Sequence, residues 1–198
     1  MKIRDYIKPK EPVVRPGVYI AVCVGVVSLG EQYSEFYKKY QEKVRFVWAI
    51  PDETYEESGE IKEKQISKDF TISYDRRGNL RPFLETWNCC TYSDDEFIGL
   101  EFNDQIGKPC QLQVSLDKTG EYANITLVMP LPKGMTAPKS ITRPFKFDIR
   151  HWNESEFESL PDWAKEKIKK STEYKKMHIT QQDVTMPATT DEKGSVPF

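Results

Sequence analysis

Cations interleave with flat rings along two stretches of this chain. Lys43 and Arg45 alternate with Phe46 and Trp48 in KVRFVWAI, and Lys68 precedes Phe70 and Tyr74 in SKDFTISY. Arg76, Arg77 and Arg81 follow at once. Cations neutralise phosphates and π-faces stack on unpaired bases, so this combination is what a single-stranded nucleic acid requires. The candidate contacts are therefore Lys43, Arg45, Trp48, Lys68, Phe70, Tyr74, Arg76, Arg77 and Arg81. Each ring has a competing role in core packing, since Phe46 and Trp48 share a face with Val44 and Ile50. Tyr74 is the ring expected outside, because its strand runs straight into DRRG. Tyr19 and Tyr122, at strand starts, are further platforms, and Trp87 is expected in the core. The charges have a bland reading as a solvated face.

Other chemistry finds less support. Asp94-Asp95-Glu96 has the ligand type for Mg²⁺ in a nuclease, but fits better as acid at a helix N-terminus. Four cysteines (Cys23, Cys89, Cys90, Cys110) form no C-x₂₋₄-C pair and lie far from His151 and His178, which argues against structural zinc. They read as buried free thiols. No Walker loop or GxGxxG occurs. No catalytic residue, metal or cofactor is expected.

The elements that would position the cations and rings are mostly strands. GVYIAVCVGVVSLG (17–30) is rich in β-branched residues, with Gly25 placed to bend it. EQYSEFYKKYQEK (31–43) carries Tyr33, Phe36, Tyr37 and Tyr40 at near-helical spacing and reads as a short helix or ordered loop. VRFVWAI and QISKDFTISY are the second and third strands, joined by an acidic hairpin (52–64) that turns at Ser58-Gly59. NLRPFLETWNCC gives a helix, with Leu80, Phe83, Leu84 and Trp87 on one face and Asn79 as its cap. Ser93 and Glu96 suit a capping box on a second helix. GKPCQLQVSLD and YANITLVMP then alternate around the turn KTGE.

That order predicts a mainly β fold: a five-stranded OB-type barrel with a helix between strands 3 and 4, plus C-terminal helices, with a split α+β sheet as the main competitor. The expected layout is a basic N-terminal lead (1–16), the barrel (17–130), a Pro-rich linker or strap (131–150), charged helices (151–177) and a disordered tail (178–198). In the charged helices Leu160, Trp163, Ala164, Ile168 and Tyr174 form a narrow apolar stripe.

The totals of 29 Lys+Arg and 31 Asp+Glu, net −2, exclude a uniformly basic nucleic-acid binder but not a locally basic groove. No apolar run reaches the roughly 20 residues of a membrane span, and MKIRDYIKPKEP is no signal peptide. A cytoplasmic protein without membrane contact is expected.

Several blocks also carry a resemblance. RPGVYIAVCVGVVSLGEQYSE, FVWAIPDE, ISKDFTISY, NLRPFLETW, IGKPCQLQV and YANITLVMPLPKG together resemble phage and prophage proteins encoded among replication and recombination genes. Members of that group look like OB-fold single-stranded DNA-binding proteins, and the likeness spans about residues 14–136. Asn88-Cys89-Cys90 departs from the basic or small residue that many members carry after the helix tryptophan. The chain end, TTDEKGSVPF, is similar to the acidic tail and Pro-Phe tip of bacterial single-stranded DNA-binding proteins. Val196, Pro197 and Phe198 would then anchor a replication or recombination partner.

The resemblance implies a non-catalytic protein that coats single-stranded DNA in the bacterial host during phage replication or recombination. With 22 basic and 22 acidic side chains in residues 1–150, binding should be weak to moderate and strongly salt-dependent. Several protomers along one strand, as a homo-oligomer, could offset that. The alternatives are a protein-interaction or assembly module and, less favoured, a metal-dependent nuclease.

Overall fold

A single strand organises the molecule. In the computed structural model, which describes residues 14–120 and 122–183, β1 (Gly17–Ser34) pairs antiparallel with both β2 (Lys39–Glu57) and β4 (Pro109–Leu116). Its first third takes β4 and the remainder takes β2, so the strand must bend. Register shifts after Cys23 and after Ser28 mark two bulges, which sharpen bend and twist. Strict alternation accordingly fails there: Ala21 and Cys23 face the barrel core, but beyond the first bulge Val26 does. Gly25 has a second reason to be glycine, because an added Cβ would lie 2.5 Å from the Phe145 ring.

β3 (Glu60–Thr71) pairs with β2, and β5 (Ala123–Met129) pairs with β4, giving the order β3-β2-β1-β4-β5. β3 and β5 meet without a ladder, and the Lys68 ammonium donates to the Ile125 carbonyl across the seam at 2.7 Å. With α1 (Leu80–Asn88) between β3 and β4, this is the predicted OB-type barrel. Leu80, Leu84 and Trp87 plug its interior against Phe46, Trp48 and Phe70. Asn79 makes no side-chain cap, contrary to expectation; it already has helical dihedrals, which aim its side chain away from the first turn. The Ser93–Glu96 capping box does form on α2 (Asp94–Ile98).

Two segments depart from the sequence reading. The 31–43 stretch is no helix: β1 continues to Ser34, the chain turns, and β2 starts at Lys39, extending the β1–β2 hairpin. The expected strap (131–150) contains a third partner for β1, the short parallel strand β6 (Phe145–Phe147). Before it, Ser140, Ile141 and Thr142 clasp the buried Glu63 carboxylate through two hydroxyls and two backbone amides. Burial works to raise the Glu63 pKa, but these donors outweigh it and hold it below the ordinary glutamate range.

After β6 come α3 (Glu154–Ser159), α4 (Asp162–Ile168) and α5 (Thr172–Asp183), the last reaching into the stretch expected as tail. The predicted stripe docks on the outer face of β1. Leu160, Ala164 and Ile168 bury against Val27, Leu29, Phe147 and Ile149. Each buried aliphatic there contributes about 1.5–3 kcal/mol. The barrel thus has two cores, one inside and one on its back.

Candidate nucleic-acid interface

The C-terminal layer lies over the middle of the predicted DNA face. Alternation places Arg45, Val47 and Ala49 on the outer side of β2, and Val47 and Ala49 are buried beneath Phe145 and Trp163. The Arg45 guanidinium sits 4.5 Å from the Trp163 ring centre and is bridged to Asp69, with Nη2–Oδ2 at 2.8 Å. Lys167 on α4 reaches the same carboxylate at 2.6 Å. Burial works to raise the Asp69 pKa, yet hydrogen bonds from Arg45 and Lys167 keep it below the ordinary range. The site that Arg45 was expected to serve is therefore filled by the protein's own tryptophan and aspartate.

The other predicted contacts are scattered. Trp48 and Phe70 are core residues with 0% and 3% exposure, so neither can stack on a base. Both point inward because β2 and β3 alternate and the barrel needs large rings. The Trp48 indole N–H has no hydrogen-bond partner among the described residues. Lys68 is consumed at the β3–β5 seam, where burial lowers its pKa. Arg81, 4% exposed, is also a structural residue: its guanidinium joins Glu85, Asp94 and the Tyr92 carbonyl. Arg76 shares Asp94, and Arg77 folds onto Asp75, pulling that carboxyl down to about 2. Tyr74 is 71% exposed, as expected, but lies beyond the end of β3. Val196, Pro197 and Phe198 lie outside the described residues.

Lys43 is the predicted contact that leads to a coherent surface. Its ammonium reaches Thr71 Oγ1 at 2.5 Å and Gln41 Oε1 at 3.2 Å. Burial lowers its pKa; Asp69 opposes that and Lys167 adds to it. From Lys43 the hairpin continues outward through Gln41 and Lys39 on the same face. At the turn Phe36 is 86% and Tyr37 61% exposed, edge to face at 4.8 Å, with the Lys39 ammonium 5.9 Å from the Tyr37 ring. Rings this exposed on a two-stranded arm join neither core of the protein.

The α4–α5 joint is pinned beside this arm. Gln32 Nε2 donates to the Lys167 carbonyl at 3.0 Å, and the Glu31 amide donates to the Glu173 carboxylate. Gly30, at φ +67°, packs so closely that a Cβ would lie 2.8 Å from Ser171 Cβ. The joint exposes Lys169, Lys170 and, on α5, Lys175, none in an ion pair among the described residues. The hairpin thus carries Phe36, Tyr37, Lys39 and Lys43, and the joint pinned at its base through Glu31 and Gln32 exposes Lys169 and Lys170.

Sequence reasoning missed this surface. The aromatic spacing of 33–40 mimicked a helix, and the lysines of 165–176 looked like a solvated face. The signal that could have found it is the pair of flanking alternations, which make one hairpin if the turn is placed at 35–38. Among the described residues no cluster of three His, Cys, Asp or Glu side chains could hold a metal ion, and no helix is long and apolar enough to cross a membrane. Of the nuclease candidates Asp94, Asp95 and Glu96, Asp94 is engaged by Arg81 and Glu96 by Ser93. Comparison of the chain with protein families, curated proteins and solved structures gives no match.

Proposed function

We propose that this protein binds single-stranded DNA without catalysis, in the cytoplasm of a bacterial host during phage replication or recombination. The observation that carries the reading is the exposed Phe36–Tyr37 pair beside Lys39, on a hairpin whose base carries Lys43 and is pinned to the joint that exposes Lys169 and Lys170. Rings of this kind stack on bases at about 1–3 kcal/mol each, without sequence preference. Ammonium groups on both sides track the phosphates and release counterions. The position fits as well: in an OB barrel the loop joining the first two strands is one of the oligonucleotide-binding loops. The turn between β4 and β5 is another, and Tyr122 is exposed there. The binding surface is displaced from the strand faces, which α4 covers, to the hairpin that projects past it.

The test is a fluorescence-polarisation titration of labelled oligo-dT at two salt concentrations, against duplex of the same length. Saturable binding that prefers the single strand and weakens with salt is expected. The double variant F36A/Y37A should lose about tenfold or more in affinity with an unchanged melting temperature. Absence of single-strand preference, or an unaltered affinity in the variant, overturns the reading.

A further inference from the structure

The opposite face of the same hairpin opens onto a cleft of about 600 Å³. One wall is α2 with the 3₁₀ turn Phe102–Gln105, the other is β6 with α3. Its floor is apolar, made by Val26, Val44, Ile72, Leu100 and Phe147, with Ile98 60% exposed at the edge. The walls are acidic. Glu42 is bound by Arg150 and Asp148 by His151, but Glu101 and Glu156 make no ion pair among the described residues, against one such cation, Lys146. Surplus carboxylate repels phosphate, so the cleft does not suit the DNA strand. An apolar floor edged by free carboxylates suits a phenol: the ring covers the floor and the hydroxyl donates to an oxygen.

Phenols of that kind stand on the hairpin itself. Tyr33 and Tyr40 are cross-strand partners, edge to face at 5.2 Å, and 47% and 54% exposed. By alternation Tyr40 shares the face of Glu42 and Val44, two of the cleft's own lining residues, and lies about 13 Å beyond Val44. Tyr37, Lys39 and Lys43 belong to the other face. The donor pair and the receiving cleft are thus consecutive stretches of one surface. A two-fold axis across that surface lets each of two chains lay its tyrosines in the other's cleft, a self-complementary contact.

We infer that the Tyr33–Tyr40 pair of one chain occupies the acidic cleft of a second copy, giving a reciprocal dimer that leaves both lysine faces outward. Such a dimer presents two strand-binding faces, which raises avidity if the single-stranded DNA reading holds; the contact itself does not depend on that reading.

Sedimentation velocity over a wide concentration range tests the inference. Wild-type chain is expected to form a dimer and nothing larger. Ile98→Arg, which fills the cleft from an exposed position, and the double variant Y33S/Y40S should each raise the dissociation constant about tenfold or more. Mixing the two variants should restore a heterodimer, because one intact tip meets one intact cleft. A monomeric wild type, a dimer indifferent to both variants, open-ended assemblies, or a mixture that stays monomeric each overturns it. Oligo-dT titration reads the DNA proposal separately: strand binding retained by I98R with its dimer lost supports both, and a wild type that dimerises without binding the strand sinks only the DNA proposal.

Discussion

The middle of β2 and its tip-ward end are built from the same materials and do opposite things. In the middle, Arg45 alternates with Phe46 and Trp48; at the tip, Lys39 adjoins Tyr37 and Tyr40. The middle rings face the barrel interior, and the middle cation is stacked on Trp163 and bridged to Asp69. The tip rings and cations stay in water. What separates them is coverage: among the described residues the C-terminal layer is hydrogen-bonded to the hairpin at Glu31 and Gln32, and the rings beyond are exposed. A pattern of cations and rings becomes a binding surface only where no later segment of the chain folds over it.

The comparison breaks first if the cover is not integral to the fold. Phe147→Ala removes a ring packed between Trp152 and Phe157 at the centre of the outer core, and should cost about 3–5 kcal/mol in denaturant unfolding. A cost under 1 kcal/mol would mean that the layer is loosely held and that the middle of β2 is accessible after all.

A smaller effect comes from the strap that leads into that layer. Glu63→Gln leaves the Ser140–Thr142 donors facing a neutral amide and should cost roughly 1–3 kcal/mol at neutral pH. The folded Glu63 pKa is depressed, so its contribution is complete above the unfolded value of about 4.3 and is lost as pH falls through the lower folded value. The wild type should therefore lose stability over that acid window, and the variant should show a flatter profile there.

The smallest effect sharpens the other side of the comparison. Replacing Lys169 and Lys170 by Gln should leave the unfolding midpoint unchanged. It should reduce the slope of log affinity for oligo-dT against log salt by about 1.4, the single-strand value for two phosphates. The same slope in both proteins would place the strand elsewhere.

Much of the barrel was legible because its signals are local. Alternation in 107–117 and 122–130, the Ser58-Gly59 turn and the Leu80–Trp87 stripe each depend on neighbours in sequence. The site was less so. Tyr33, Phe36, Tyr37 and Tyr40 satisfy a helical period by coincidence, and their spacing across the 35–38 turn cannot be told from it without knowing that residues 31–34 pair with 39–42. β6 escaped because three residues after Pro144 carry no period, and its partner, Gly25–Val27, is more than a hundred residues away. Arg81 looked like a phosphate contact because its acceptors, Asp94 and the Tyr92 carbonyl, arrive from the following helix start.

The position of β1 has a consequence for biosynthesis. It leaves the ribosome more than a hundred residues before Phe145, yet among the described residues its outer side chains Val24, Val27 and Leu29 are covered by segments from Phe145 onward. During translation a finished barrel must wait with a greasy back until the segment from Phe145 onward has emerged. A chaperone holding that strip, or truncation products that aggregate when shortened before Phe145, would be the cellular trace of this delay.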